Sequence, residues 1–175
     1  MRGQVVGAPA VEPETLANVI DQRRELSAEQ RLAVEVITTS ANRIDLLVGQ
    51  PGTGKGHVIG VAARVFEDGG FECVGTALAA RTARQLQNST GVPSHTTASL
   101  LTSLESGRLT LDARSVLIVD EAGMIGTRQT AQLLDHVETA RAKLLLVGDP
   151  KQLPEIDAGG LFAAMGKRIG TVELA

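Results

Sequence analysis

Residues 44–56, from Ile44 to Gly56, read IDLLVGQPGTGKG and carry the clearest fold signal of the chain. Its opening letters, IDLLV, form a short apolar run typical of a buried strand, and the glycine-rich segment GQPGTGKG follows at once. Gly49 stands first, Gly54 sixth and Lys55 seventh in that segment, which is the spacing of a phosphate-binding P-loop. We therefore expect a strand, a loop and a helix in this order, with phosphate held at the helix N-terminus.

Each part of this segment has a physical role in holding phosphate. Glycines let backbone N–H groups converge where a side chain would collide, the helix adds the positive end of its dipole, and the lysine brings a point charge to the outer phosphates. A chance glycine-rich turn is the alternative, but the strand before it and the helix after it favour a nucleotide site. The predicted nucleotide contacts are Gly49, Pro51, Gly52, Thr53, Gly54, Lys55, Gly56 and His57.

On either side of this segment, apolar strands alternate with amphipathic helices. Strands are predicted at 71–77, 115–120 and 142–149, and helices at 57–67, 77–89, 96–107 and 128–140. This alternation predicts an α/β fold with a parallel sheet covered by helices on both faces. Residues 26–40 predict a further helix, with Ser27 as N-cap and Leu32, Val36 and Ile37 on one face.

The composition limits the possible classes of protein. Lys plus Arg total 17 against 20 acidic residues, a net charge of -3, so there is no global basic field for nucleic acid. Cys73 is the only cysteine and is expected to be buried and inert. No apolar run is long enough for a signal peptide or a membrane span, so we expect a cytoplasmic protein without a membrane partner. Residues 1–13, with Pro9 and Pro13, predict a mobile leader or linker.

An acidic pair follows the predicted strand SVLIV, in the segment SVLIVDEAGM. Asp120 would hold Mg²⁺, through water, and Glu121 would orient and deprotonate the attacking water. The alternative is that both are solvated acidic residues at a turn. The P-loop earlier in the chain favours the catalytic interpretation over this alternative. A water-activating Glu indicates an ATP hydrolase rather than a small-molecule kinase. Gln152, in the segment LLLVGDPKQLPEI, could hydrogen-bond a γ-phosphate and report its presence.

One residue departs from the P-loop pattern. The eighth position is ordinarily Ser or Thr, whose hydroxyl binds Mg²⁺, but here it is Gly56. An additional water could take the place of that hydroxyl. We predict weaker Mg²⁺ coordination and slower hydrolysis, without loss of phosphate binding.

Four segments in order resemble the superfamily 1 DNA helicases of the RecD-like branch: LSAEQRLAV, GQPGTGKG, LIVDEAGM and GDPKQLPEI. The details ALAARTA, TTASL and DEAGM are most similar to the helicase part of TraA/TrwC-type conjugative relaxases. The resemblance covers about Leu26 to Phe162 and implies a RecA-like domain. It places Gln30 at the adenine edge, and Arg81 and Thr96 in segments that contact DNA.

The resemblance also has departures. Ala79 stands where many RecD-like relatives have Thr, which removes one expected contact to the DNA backbone. The sequence stops at GTVELA, before the arginine-bearing motifs of a second RecA-like domain, so we interpret 1–25 as a leader and helix and 26–175 as a truncated first domain. With no Tyr and three scattered His, the chain lacks the nicking centre of a relaxase.

Together these features predict the ATP-binding and ATP-hydrolysing domain of a DNA helicase, with ATP and Mg²⁺ as cofactors and DNA as the partner of the full-length parent. The isolated chain is expected to hydrolyse ATP poorly. The alternative is a structural nucleotide-binding module in which Gly56 has abolished efficient hydrolysis. A P-loop kinase is a further alternative, disfavoured by Glu121 and the GDPKQLP segment. The sequence leaves the oligomeric state and the translocation polarity open.

Overall fold

The computed structural model describes residues 10–149 and 171–175. Gln152, and all of the GDPKQLPEI segment after Asp149, lie outside these described residues. The helices are α1 Pro13–Ile20, α2 Ala28–Thr39, α3 Lys55–Asp68, α4 Ala80–Thr90, α5 Thr97–Glu105 and α6 Thr127–Ala140. The strands are β1 Ile44–Gly49, β2 Glu72–Ala77, β3 Ser94–Thr96, β4 Ser115–Val119, β5 Lys143–Gly148 and β6 Val172–Leu174.

The described strands form one parallel sheet in the order β3-β2-β4-β5-β1-β6. Strands β4 and β5 are buried along their whole length, because helices cover both faces of the sheet. Leu47, Val58 and Phe66 belong to the core on the side of α1 to α3, whereas Leu100 and Leu133 belong to the core on the side of α5 and α6. The prediction of a parallel sheet with helices on both faces is confirmed.

Helix α2 begins where the sequence predicted, because its N-cap satisfies two backbone donors. Ser27 Oγ accepts the N–H of Gln30 at 3.2 Å, and the Gln30 side-chain oxygen accepts the N–H of Ser27 at 3.1 Å. This reciprocal pair orients the first turn of the helix. It also fixes the backbone and the side chain of Gln30 beside the P-loop.

The predicted apolar face of α2 is wrong. Leu32 is 59% exposed and Val36 is 39% exposed, whereas Ile37 is fully buried. The buried positions of this helix are Ala33, Val34, Ile37 and Thr38. Two neighbouring faces of the helix carry residues of similar hydrophobicity, and the position of the helix on the sheet decides which face is buried.

The predicted leader also extends too far. Val11 is buried, and its N–H donates to the carbonyl of Thr38 at 2.8 Å. The Val11 methyl groups occupy space beside Gly69, where an added Cβ would lie 3.1 Å from Val11 Cγ1. The chain therefore packs against the domain from Val11 onward.

Cys73 is confirmed as a buried thiol. It is 3% exposed, on the face of β2 that meets α3. Burial, with smaller contributions from the carboxylates of Glu67 and Glu72, raises the pKa of Cys73 to about 12. The thiolate, which is the reactive form, is therefore scarce at neutral pH.

None of the helices in the described part of the chain has the length and apolar character needed to cross a lipid bilayer.

Candidate nucleotide-binding site

The loop between β1 and α3 adopts a backbone that glycine makes possible. Gly52 has φ 86° and Gly54 has φ 84°, both in the left-handed region that a side chain disfavours. At Gly49 an added Cβ would lie 2.7 Å from Thr53 Oγ1 and 3.1 Å from Leu174 Cβ, so a side chain does not fit. The loop is thus a tight turn that leads directly into the N-terminus of α3.

Lys55 is the first residue of α3, and its ammonium group folds back over the loop. Lys55 Nζ donates to the carbonyl of Gly49 at 2.5 Å and to the carbonyl of Gln50 at 2.8 Å. The side chain is therefore held beside the turn by backbone carbonyls. A cation in this position faces the end of the sheet at which the parallel strands terminate.

The acidic pair lies at the carboxyl end of β4. The N–H of Asp120 donates to the carbonyl of Thr76 at 2.9 Å, and Asp120 Oδ1 accepts the N–H of Glu121 at 2.9 Å. Glu121 itself has φ 49° and ψ 42°, an uncommon left-handed backbone for a residue with a Cβ. The chain therefore turns sharply at the point where the two carboxylates emerge.

The electrostatics of Asp120 reflect its position in the cleft. Burial raises the pKa of the Asp120 carboxyl above its ordinary value, and the carboxylate of Glu121 adds to the rise. The N–H of Glu121 and the charge of Lys55 oppose that rise. A nearby multivalent cation would favour the charged carboxylate in the same way as Lys55 does, and more strongly.

One cavity of about 480 Å³ brings these groups together. Its predicted lining residues come from the P-loop and from the end of β4: Pro51, Gly52, Gly54, Lys55, Gly56, Asp120 and Glu121. Gly148 and Asp149 line it from the end of β5. The structure therefore places most of the predicted phosphate-side and catalytic residues around a single space.

Helix α4 lines the same cavity, which the sequence interpretation missed. Thr82, Gln85, Leu86 and Ser89 all face it. Their spacing of three, four and seven residues puts them on one face of the helix. That spacing was the available signal, but only the packing of α4 beside α3 shows that this face meets the P-loop.

Four predicted nucleotide contacts are not among the residues that line the cavity: Gln30, Gly49, Thr53 and His57. Gln30 Nε2 donates to the carbonyl of Thr53 at 3.4 Å and contacts the position that a Cβ on Gly54 would occupy. His57 is exposed on α3 and faces Glu25, with Nε2 3.7 Å from Glu25 Oε1. Its side chain does not reach the cavity.

The two predicted DNA contacts are not among the residues that line the nucleotide cavity. Arg81 is exposed on α4 and, with Arg84, lines a second, open cavity of about 520 Å³. Thr96 is the N-cap of α5, and its hydroxyl oxygen accepts the N–H of Ser99 at 3.2 Å. The structure thus gives Thr96 a helix-capping role.

The oxygen donors of the cavity fit a magnesium ion held largely by substrate. No group of three or more His, Cys, Asp or Glu side chains that could cage a metal occurs within residues 10–149 and 171–175. Asp120 and Glu121 instead offer carboxylate oxygens beside a phosphate-type loop. Mg²⁺ commonly binds in this way, through one or two carboxylates, substrate phosphates and several waters.

Comparison with known proteins identifies the relatives of the chain. The family described as AAA domain matches residues 25–175. Conjugal transfer protein TraA of Rhizobium radiobacter is 40% identical over 164 residues, which cover 94% of this chain and 15% of that protein. The ATP-dependent RecD2 DNA helicase of Deinococcus radiodurans is 33% identical over 156 residues, covering 87% of this chain and 21% of that protein. The chain thus spans only a small part of the length of these curated relatives.

Solved structures agree with the fold. A variant of S. cerevisiae Dbp5 bound to Nup159, Gle1, IP6 and ADP has a TM-score of 0.61 at 15% identity, over 95% of this chain and 53% of that chain. The Pyrococcus furiosus Hef helicase domain has a TM-score of 0.50 at 15% identity, over 76% of this chain and 33% of that chain. These likenesses confirm the RecA-like, P-loop type of sheet. The chain belongs to the AAA domain family and is related to the TraA conjugal transfer proteins and the RecD-type helicases.

Proposed function

We propose that this chain is the ATP-binding and ATP-hydrolysing domain of a DNA helicase that acts in conjugative DNA transfer. The observation that carries the proposal is the single cavity lined by Lys55, Asp120 and Glu121. A cation, a partly buried carboxylate and a second carboxylate at a glycine-rich loop are the groups that nucleoside triphosphate hydrolysis requires. Sequence similarity to proteins named conjugal transfer protein TraA and ATP-dependent RecD2 DNA helicase supports a helicase rather than another ATP hydrolase.

Binding of the phosphate chain begins at the P-loop. The N–H groups around Gly52 and Gly54 lie at the N-terminus of α3, where the helix dipole favours negative charge. Lys55 would exchange the carbonyls of Gly49 and Gln50 for phosphate oxygens. Gln30, fixed by its capping box beside the loop, is proposed to contact the adenine edge, in keeping with the resemblance.

Hydrolysis would rest on the acidic pair. When bound, Mg²⁺ would neutralise charge on the outer phosphates. Asp120 would hold it, through water, and Glu121 would orient the attacking water and accept its proton. Gln152, which lies outside the described residues, stays a predicted γ-phosphate contact.

DNA coupling would run through α4. Arg81 and Arg84 line the open cavity, and Gln85 and Ser89 line both that cavity and the nucleotide cavity. One helix therefore joins a basic surface to the site of hydrolysis. We propose that Arg81, and Thr96 more weakly, contact the DNA backbone, and that a second RecA-like domain of the full-length parent completes the motor.

Gly56 favours a second candidate function. Without the P-loop hydroxyl, the domain could hold nucleotide as a structural element and hydrolyse it too slowly to drive movement. The two functions differ in whether DNA accelerates turnover, since a motor couples both sites and a structural module does not.

A nucleotide titration with and without DNA tests these proposals. ATP with Mg²⁺ should bind the chain saturably, and Lys55→Ala should weaken that binding about 10- to 100-fold, the loss of charge-assisted hydrogen bonds to phosphate. Arg64→Ala is the matched control, because Arg64 lies on the exposed side of the same helix and pairs with Asp68. Absence of saturable binding by folded wild-type protein would overturn both functions.

The second arm uses a longer protein that includes the partner half. Single-stranded DNA should raise its ATP turnover at least several-fold, and Arg81→Ala should reduce that stimulation. Saturable ATP binding with no stimulation by DNA would favour the structural module over the motor.

A further inference from the structure

Gly56 has no side chain, and a hydroxyl from another helix lies near the position that such a side chain would occupy. Among residues 10–149 and 171–175, and apart from neighbouring residues of its own helix, a Cβ built on Gly56 would meet Ser89 alone within 4 Å, with Ser89 Oγ at 3.6 Å and Ser89 Cβ at 3.9 Å. Ser89 lies near the end of α4 and lines the same cavity as Lys55, Asp120 and Glu121. A P-loop Ser or Thr would carry its hydroxyl one bond beyond that Cβ, in the region that the Ser89 hydroxyl borders.

Two glycines on α3 allow α4 to come this near. Gly56 and Gly60 are one turn apart, and a Cβ on Gly60 would lie 3.4 Å from the Cα of Thr90. Helix α4 therefore packs on a strip of α3 that has no side chains. Gly56 therefore lacks the P-loop hydroxyl and also allows the close packing that places Ser89 beside the nucleotide cavity.

The Ser89 hydroxyl has the right chemistry to bind a hard cation. Its O–H donates to the carbonyl of Leu86 at 3.2 Å, which uses its proton within its own helix. A hydroxyl oxygen that donates its proton still carries two acceptor lone pairs, and the exposed side chain lines the nucleotide cavity. A neutral hydroxyl oxygen is the type of ligand that a P-loop ordinarily supplies to Mg²⁺.

We propose that Ser89 supplies the hydroxyl ligand that Gly56 lacks, binding the magnesium ion of bound nucleotide directly or through one of its waters. The ligand set on the protein side is then Asp120 from β4 and Ser89 from α4. This inference rests on the proposed function, since it requires nucleotide in the cavity. It assigns α4 a metal-binding role in addition to its basic surface.

Metal affinity, rather than turnover, is the readout that tests the assignment. Mn²⁺ can replace Mg²⁺, and electron paramagnetic resonance counts free Mn²⁺ in the presence of the full chain and AMP-PNP. Ser89→Ala should weaken Mn²⁺ binding about tenfold, a loss typical of removing a group that supports a metal. Affinity for AMP-PNP without metal should stay within about twofold of wild type, and the melting temperature should confirm folding.

Three further variants make the result specific. Ser89→Thr keeps a hydroxyl and should retain Mn²⁺ affinity. Asn88→Ala is the matched control, because Asn88 neighbours Ser89 on α4 and lines the open cavity but not the nucleotide cavity. Gly56→Thr should restore Mn²⁺ affinity in the Ser89→Ala background and add little to wild type, because one hydroxyl suffices.

The outcomes separate this inference from the proposed function. If wild type binds AMP-PNP with Mn²⁺ and Ser89→Ala binds Mn²⁺ as wild type does, the inference is overturned and the proposed function stands. If Ser89→Ala also loses metal-free affinity to the same degree, or Gly56→Thr restores nothing, Ser89 has only a packing role and the inference again fails. If wild type shows no binding of AMP-PNP, the proposed function itself fails.

Discussion

Glu121 is the residue with the most unusual backbone in the candidate site. Its φ of 49° and ψ of 42° cost a residue with a Cβ about 1–2 kcal/mol relative to the right-handed region. Neighbouring hydrogen bonds hold the conformation: Asp120 N–H donates to Thr76, and the Glu121 carbonyl accepts the N–H of Met124 at 2.8 Å. Strain of this kind is often found where a side chain must be aimed at substrate.

Two substitutions of Glu121 distinguish the backbone strain at this residue from the proposed catalytic role of its side chain. Glu121→Gly relieves the Cβ strain but adds freedom to the unfolded chain, so we expect it to be about 0.5–1 kcal/mol more stable than Glu121→Gln. Both variants should lose ATP turnover by about 10²-fold or more while still binding nucleotide, since both lack the proposed base. Urea unfolding and a turnover assay check this. A glycine variant less stable than the glutamine variant would show that the left-handed turn carries no strain.

The raised pKa of Asp120 makes the site sensitive to pH. The folded protein holds the carboxyl proton more tightly than the unfolded chain, whose pKa stays near the ordinary 3.8. Stability therefore falls as pH rises from 3.8 through the raised pKa, and the cost persists at neutral pH. The charge that the site needs for a cation is one that the fold alone disfavours.

Asp120→Asn should consequently stabilise the protein when no nucleotide or metal is present. We expect a higher melting temperature at pH 7–8, with the gain shrinking as pH falls towards the raised pKa, where wild type becomes protonated. The same variant should weaken Mg²⁺-dependent ATP binding. Asp135→Asn, at an exposed position on α6, is the control and should not change the melting temperature. A lower melting temperature for Asp120→Asn at neutral pH contradicts the argument.

Among the elements of the fold, a buried ion pair joins β1 and β5 at their N-terminal ends, opposite the ends that carry the candidate site. Lys143, at the start of β5, is fully buried, and its Nζ lies 2.8 Å from Asp45 Oδ2 on β1. Lys143 Nζ also donates to the carbonyls of Ser40 and Asn42, each at 2.9 Å. Burial lowers the pKa of Lys143, and the hydrogen bond and charge of Asp45 oppose that change. The pair anchors the connection from α2 to the sheet.

Removing one partner should be far more harmful than removing both. Asp45→Ala leaves a buried ammonium without its counter-ion, and we expect a loss of about 3–5 kcal/mol in unfolding free energy. The double variant Asp45→Leu/Lys143→Met should recover a large part of that loss. Asp68→Asn, which breaks the exposed pair with Arg64 at 3.0 Å, is the control and should cost under about 1 kcal/mol. Urea unfolding measures all three, and equal losses in the single and double variants would contradict this role.

Sequence patterns differ in how well they predicted the elements. The start of α2 followed from Ser27 and Gln30, because capping is a local hydrogen-bond pattern. The short strands β3 and β6 were not predicted, because segments of three residues carry no apolar run and form only beside an existing strand. The buried face of α2 was missed for a related reason, since Leu32 and Val36 are as apolar as the residues that the sheet covers.

At the scale of the whole molecule, the site depends on the order of strands in the sheet. Strand β5 lies between β1 and β4, so the P-loop and the acidic pair meet across one intervening strand. Helix α4 closes the cavity from the side of α3. With a net charge of -3, the chain has no overall attraction for DNA, and a local surface such as that of Arg81 and Arg84 must supply any contact.

The α/β class, the phosphate-type loop and the acidic pair at a strand end could all be predicted from the amino-acid sequence alone. These depend on local rules: hydrophobic period, glycine freedom and spacing along a few residues. The sequence also showed that Gly56 breaks the pattern of the loop. Only the tertiary structure brought Ser89 of α4 beside Gly56. Residues 33 positions apart in a chain meet only when two helices pack, and packing is decided by the whole core rather than by either segment.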